Sequence, residues 1–97
     1  MRVQFVTRDH GPERLVCDAE IVFESEDGPL AGMKLVGFSL WTAAEGEVSV
    51  TFPSRAFGAA GGRGFFDYLR SVEGSAADAR RVKDWILEEF RASRRAA

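Results

Sequence analysis

The stretch MKLVGFSLWTAAEGEVSVTFPSR, residues 33–55, predicts the centre of the fold. Two runs of strand-forming residues are separated by a turn at residues 43–46, and the second run stops at Pro53, which cannot donate to a sheet ladder. Residues 47–52 alternate between polar and apolar, so one face of this strand is expected in a core and the other in water. Residues 33–42 are apolar at positions of both parities, which predicts a strand covered on both faces, with Met33, Leu35 and Trp41 on one and Val36, Phe38 and Leu40 on the other.

Two further strands are predicted before this stretch. Residues 15–24 alternate most regularly and have an acidic outer face. Their apolar set is Leu15, Cys17, Ala19, Ile21 and Phe23. Residues 3–7 form a shorter strand candidate, and the Asp27–Gly28 pair marks a tight turn before residue 33.

The chain after Pro53 changes character. Residues 56–64 contain four glycines and predict a flexible loop, whereas residues 65–72 are compatible with a short strand or a helical turn. Ser75 opens a helix through a sequence that resembles a capping box, with Asp78 at its third position. Its apolar stripe is Val82, Trp85, Ile86 and Phe90, interrupted by Glu89, and residues 93–97 are expected to fray.

This order of elements predicts one α+β domain over residues 1–97, with an antiparallel sheet of four to five strands and one C-terminal helix. A single helix cannot cover both faces of a sheet whose central strand is apolar on both. A second copy of the chain would cover the remaining face, so we expect a homodimer with Phe38, Leu40 and Trp41 in its interface.

Composition limits the possible partners and compartments. Residues 1–54 carry four basic against nine acidic residues, and residues 55–97 carry nine basic against six acidic, so an anion is expected to bind the second half. No apolar run reaches the eighteen or so residues that span a membrane, and membrane association is not expected. The single cysteine excludes an internal disulfide and suits a reducing cytoplasm.

The chain from residue 15 onwards resembles the SpoVG family, the stage V sporulation (septation) protein G group of small bacterial proteins. The similarity is carried by VSVTFPSR at residues 48–55, by a loop that ends in Phe66-Asp67, and by a helix with an acidic-aromatic end at residues 86–90. LVCDAEIVFE at residues 15–24 stands where the family has its second strand. The resemblance implies a homodimer built on an antiparallel sheet that binds DNA and RNA, that is, a non-enzymatic regulatory protein.

The family's basic residues directly after the Pro-Ser pair are implicated in binding, and only Arg55 matches, because Ala56 stands where a second base often occurs. We predict that Arg55 acts beside the Ser54 hydroxyl at a strand end, with the loop residue Arg63 as a further cation and Phe57 as a stacking contact. Arg91, Arg94 and Arg95 are further phosphate-binding candidates at the helix end.

Other interpretations of these residues stay open. The arginines could pair with surface carboxylates. Phe65, Phe66 and Tyr68 could also offer base-stacking platforms, although aromatic residues of a small domain are usually core, and Trp41 and Phe38 are expected in the core or the dimer interface. A dimeric protein-interaction module with the same fold is the alternative function. One histidine and one cysteine make no zinc cluster, and no serine or cysteine has an evident base, so neither an enzyme, a metal nor a cofactor is expected.

Overall fold

The structure is a computed structural model that describes residues 1–57, of which Phe57 by its backbone alone, and residues 64–95. In these residues the strands are β1 (Arg2–Val6), β2 (Leu15–Val22), β3 (Lys34–Thr42), β4 (Val48–Thr51), β5 (Ser54–Phe57) and β6 (Gly64–Asp67). A 3-10 turn spans Gly28–Leu30, and the helix α1 spans Ala76–Arg95. The predicted α+β class, the four strands before Pro53 and the C-terminal helix are confirmed.

Strands β1 to β4 form an antiparallel sheet in which each strand lies beside its neighbour in sequence. Ala19 pairs with Phe38, and Leu40 pairs with Val50, so apolar positions of three strands meet on one face. The buried residues of this inner face are Cys17, Ala19, Ile21, Phe38, Leu40, Val50 and Phe52. They pack against the fully buried Ile86 of α1, which makes a sheet with one helix over one face.

Three residues cap the start of α1, because Ser71 joins the predicted pair of Ser75 and Asp78. The Ser75 hydroxyl accepts the Ala77 N–H at 3.2 Å, as a helix N-cap does. The Ser71 hydroxyl accepts the Ser75 N–H at 3.0 Å and donates to the Asp78 carboxylate at 2.6 Å. The predicted capping box is therefore closed through Ser71, because the side chain of Asp78 contacts that hydroxyl.

The apolar stripe of α1 is confirmed, and the helix runs further than expected. Val82, Trp85 and Phe90 pack against the core, and Phe90 meets Phe5 of β1 edge to face at 5.3 Å. Residues 93–95, which were predicted to fray, are helical. The Ser93 hydroxyl donates to the Phe90 carbonyl at 2.8 Å, which gives the last turn a local anchor.

The sequence prediction that Leu35 and Phe38 lie on opposite faces of β3 is wrong, because β3 contains a bulge between them. Ala19 pairs with Phe38 but Ile21 pairs with Leu35, so β3 has one extra residue over this interval. Gly37 absorbs it with a φ of 105°, a conformation that side chains other than glycine rarely adopt. The resulting bulge brings Leu35 to the same face as Phe38.

A second irregularity lies at the start of β2. Leu15 pairs with Trp41 and Cys17 pairs with Leu40, so here β2 has the extra residue. Val16 therefore packs against the core, whereas Leu15 shares a face with Trp41. The alternation predicted for residues 15–24 holds from Cys17 onwards but fails at Leu15.

The outer face of the sheet is largely polar. Asp18 accepts two hydrogen bonds from the Arg8 guanidinium, one of them at 2.8 Å, and Lys34 pairs with Glu20 at 3.1 Å. Trp41 lies half-buried on this face, where its indole N–H donates to the Thr51 hydroxyl at 2.9 Å.

Of the three residues predicted in the dimer interface, Phe38 and Leu40 are buried in the core and only Trp41 is accessible to a second copy of the chain. Phe38 and Leu40 are 0% exposed and lie beneath the chain's own helix, so a second copy of the chain does not reach them. Trp41 alone of the three predicted interface residues lies on the outer face.

Pro53 ends β4 as predicted, but the chain then starts a strand that the sequence did not predict. Residues 54–57 form β5, which pairs with β6 as a separate two-stranded antiparallel unit. Residues 65–72, left open as strand or helix, form most of β6 and the turn that follows. Residues 58–63 of the predicted glycine-rich loop lie outside the described residues.

Candidate functional site

The unit formed by β5, β6 and the following residues to Arg70 is here called the aromatic ribbon. Its register pairs Ser54 with Asp67, Arg55 with Phe66, and Ala56 with Phe65. Because successive strand residues point to opposite sides, Arg55 and Phe66 share one side, here called the Arg55 face. Ser54 and Phe65 lie on the other side.

The rings of the ribbon are exposed. The exposed fractions are 73% for Phe65, 46% for Phe66 and 63% for Tyr68. The Tyr68 N–H donates to the Pro53 carbonyl at 2.8 Å, which continues the ladder by one residue and by alternation sets Tyr68 on the side of Phe66. Within the described residues no third strand pairs with the ribbon.

Two arginines accompany Phe66 on the Arg55 face. The Arg70 guanidinium lies 5.6 Å from the centre of the Phe66 ring, within the range of a cation–π contact, and Arg55 is the cross-strand partner of Phe66. Neither arginine forms an ion pair within the part of the chain that the structure describes. Both guanidinium groups keep donors for an external anion.

The structure separates some of the residues that the sequence grouped together. Ser54 and Arg55 are adjacent in β5 and therefore point to opposite sides, and Ser54 lies across from Asp67. A ligand that lies along the Arg55 face would therefore contact Arg55 without the Ser54 hydroxyl, and their joint action stays a prediction. The predicted contacts by Arg63 and by the Phe57 side chain lie outside the described residues.

The arginines at the end of α1 have contacts within the helix. Arg91 and Arg95 lie 3.6 Å and 3.8 Å from the same carboxylate, that of Glu88. The Arg94 guanidinium lies 5.4 Å from the centre of the Phe90 ring. All three remain exposed, but Glu88 reduces the positive charge that the sequence assigned to this end.

Arg70 is the site residue that sequence reasoning missed, whereas Phe66 and Tyr68 were among the aromatic residues named as possible stacking platforms. Arg70 stands in FFDYLR at residues 65–70, a stretch that alternates poorly and could be read as strand or helix, so the sequence did not place it beside Phe66.

The local charge of the ribbon is positive although the chain's net charge is −2. Residues 53–72 contain three arginines and one aspartate. Much of the acidic charge lies in β2 and the turn after it, where it is locally paired: the Arg8 guanidinium lowers the pKa of Asp18. The Glu24 N–H and then the N-terminal ammonium lower the pKa of Asp27. Of the three arginines of residues 53–72, Arg55 and Arg70 lie in the described residues.

A cavity of about 440 Å³ lies between the end of the ribbon and the first turns of α1. Arg70, Ser71, Asp78 and Arg81 are among its polar lining residues. The Ser71 hydroxyl and then Arg81 lower the pKa of Asp78, so this carboxylate is held by contacts that stabilise the helix start. Ser71 and Asp78, which line the cavity, therefore already have a role in capping the helix.

Cys17 lies buried in β2 as a free thiol. Burial raises the pKa of this thiol, which favours its protonated form. The described residues contain no group of three or more histidine, cysteine, aspartate or glutamate side chains placed to hold a metal ion. Among them no helix is long and apolar enough to cross a membrane.

Comparison with protein-family models, with curated proteins and with solved structures finds no match to this chain.

Proposed function

We propose that this chain is a non-enzymatic nucleic-acid-binding regulatory protein of the SpoVG type, which binds DNA or RNA through the aromatic ribbon. The observation that carries the proposal is the arrangement of Arg55 and Arg70 around the exposed ring of Phe66. Guanidinium groups without a carboxylate partner supply charge-assisted donors to phosphate oxygens. An exposed ring beside them supplies a stacking surface for a base.

A protein-interaction module, including self-association, is the second candidate. Phe65, Tyr68 and Val72 are exposed, and exposed apolar side chains of this kind mark protein interfaces. Phe65 and Tyr68 lie on opposite sides of the ribbon, so each side presents an aromatic residue to a partner. Sedimentation equilibrium of the protein alone measures self-association. A monomer that binds no nucleic acid would direct the search to a different protein partner.

The proposal is tested by fluorescence anisotropy with labelled DNA and RNA at about 50 mM and about 200 mM salt. Binding should weaken with salt, and Arg55→Ala and Arg70→Ala should each reduce the slope of log K against log salt by about 1, because each removes one phosphate contact. Arg14→Ala is the matched control, since Arg14 is also exposed and forms no ion pair in the described part of the chain.

Two results would contradict the proposal. One is the absence of binding to any nucleic acid at the lower salt concentration. The other is a salt slope that Arg55→Ala and Arg70→Ala leave equal to that of Arg14→Ala, which would place the binding surface away from the ribbon.

A further inference from the structure

We infer that the Arg55 face of the ribbon selects single-stranded over double-stranded nucleic acid, with bases stacked on Phe66 and Tyr68. The inference rests on the proposed function and adds the class of ligand and the side of the ribbon that it occupies. It follows from three features of this face: its ring exposure, its ring spacing and the chemistry of its side chains.

The exposure of the two rings favours nucleic acid whose bases unstack easily from one another. Phe66 and Tyr68 present 46% and 63% of their surface. In a duplex the faces of the bases are covered by adjacent base pairs, and opening a base step costs a few kcal/mol. A single strand offers those faces at a much smaller cost.

Ring spacing gives the same preference. The Cα atoms of Phe66 and Tyr68, from which the two rings project, are two residues apart along the ladder, which corresponds to about 6.6 Å at 3.3 Å per residue. Successive base pairs of duplex DNA are about 3.4 Å apart. Neighbouring bases stacked on these two rings must therefore be separated to about twice the duplex rise, which an extended single strand permits and an intact duplex does not.

The side chains of the Arg55 face are poorly suited to recognise base edges in the major groove of a duplex. A two-stranded ribbon that reads the major groove needs polar side chains that match the hydrogen-bonding groups of the base edges. Among the described side chains, the Arg55 face offers the rings of Phe66 and Tyr68 and the guanidinium groups of Arg55 and Arg70. The two arginines suit the phosphates of a strand whose bases lie on the rings.

Phe65 provides an internal control. It is the residue next to Phe66, has the same side chain and is more exposed, but pairs with Ala56 on the opposite side. Any general loss of apolar surface affects Phe65→Leu and Phe66→Leu alike. A nucleic-acid strand bound along the Arg55 face would lose affinity with Phe66→Leu and keep it with Phe65→Leu.

The experiment titrates the full chain into a single-stranded DNA of about a dozen nucleotides that contains 2-aminopurine, and into the duplex of the same sequence. We expect the single strand to bind at least about tenfold more tightly and the 2-aminopurine emission to change on binding, because stacking on neighbouring bases is replaced by stacking on a ring. Phe66→Leu and Tyr68→Leu should each weaken single-strand binding by about 5- to 150-fold. Phe65→Leu should change it by less than about twofold. Phe66→Leu should leave the salt slope unchanged, because the ring contacts no phosphate.

Each other outcome has a definite meaning. Equal or tighter binding of the duplex overturns the inference and leaves the proposed function standing. Equal losses from Phe65→Leu and Phe66→Leu overturn the assignment to the Arg55 face. Failure of both DNA forms to bind at low salt overturns the proposed function together with the inference. Thermal unfolding of each variant identifies any loss that arises from misfolding.

Discussion

Aromatic side chains occupy two antiparallel regions of this molecule in opposite ways. In the four-stranded sheet, Phe38 is fully buried and meets Phe52 edge to face at 5.6 Å. In the two-stranded ribbon, Phe65 and Phe66 are exposed. Both regions alternate side chains between two sides, and the difference is that α1 packs over one side of the sheet. Burial is therefore determined here by the covering helix, since strand pairing is common to both regions.

The sheet and α1 form the core of the fold, whereas the aromatic ribbon leaves its rings exposed to a ligand. A two-stranded unit is at best marginally stable alone in water. The ribbon is connected to the sheet at Pro53, whose carbonyl accepts the Tyr68 N–H, and Gly37 of β3 packs directly against the Pro53 ring. The sheet can thus hold the ribbon in place while its rings remain available to a ligand.

The sharpest test of this comparison replaces the same residue type in both regions. Phe38→Ala should lower the free energy of unfolding by about 3–5 kcal/mol, because it removes a buried ring and leaves a cavity. Phe65→Ala should change it by less than about 0.5 kcal/mol, because its ring is mostly in water. Urea denaturation followed by circular dichroism measures both. A comparable loss for Phe65→Ala would show that the ribbon contributes to the core.

The junction between the two regions is tested by Gly37→Ala. A Cβ there would lie 2.7 Å from the Pro53 Cβ and would have to adopt a φ of 105°. Backbone strain and the clash together should cost about 2–4 kcal/mol in urea denaturation.

Gly46→Ala is the matched control for the junction. Gly46 also has a positive φ, of 84°, but a Cβ there meets no atom within 4 Å. Its replacement should cost only the strain, about 1–2 kcal/mol. If the two variants were equally stable, the contact between Gly37 and Pro53 would not fix the ribbon to the sheet.

The sequence predicts the sheet and the helix because local patterns agree with the fold there. Residues 17–24 alternate, the stripe of Val82, Ile86 and Phe90 has helical spacing, and Ser75 marks the helix start. These elements are covered on one side only, which is the situation in which periodicity reports burial most directly.

The ribbon and the bulges could not be predicted in the same way. Pro53 signals the end of a ladder, but not that a strand with a different partner follows it. The bulge at Gly37 moves Leu35 to the opposite face, and a period of two contains no information about such a shift. Arg55 was found through its Pro-Ser context, whereas Arg70 required the three-dimensional contact with Phe66.

The smallest expected effect concerns the polar outer face of the sheet, where Arg8 pairs with Asp18. The guanidinium, by hydrogen bonding, holds the pKa of the Asp18 carboxyl below its ordinary value of 3.8. Because the folded pKa is lowered, the stabilisation is complete above about pH 5 and is lost as the pH falls through the folded pKa. Asp18→Asn and Arg8→Ala should each flatten the acid side of the stability profile relative to the wild type, and the effect should be small because water screens an exposed ion pair.

The double variant Arg8→Ala/Asp18→Asn tests whether the two residues act as one pair. It should have an acid profile no flatter than that of either single variant, because both changes remove the same interaction. Urea midpoints measured from about pH 6 to about pH 2 give the comparison. Additive losses would mean that Asp18 is stabilised mainly by another contact, of which the Ser39 hydroxyl at 3.4 Å is the nearest candidate.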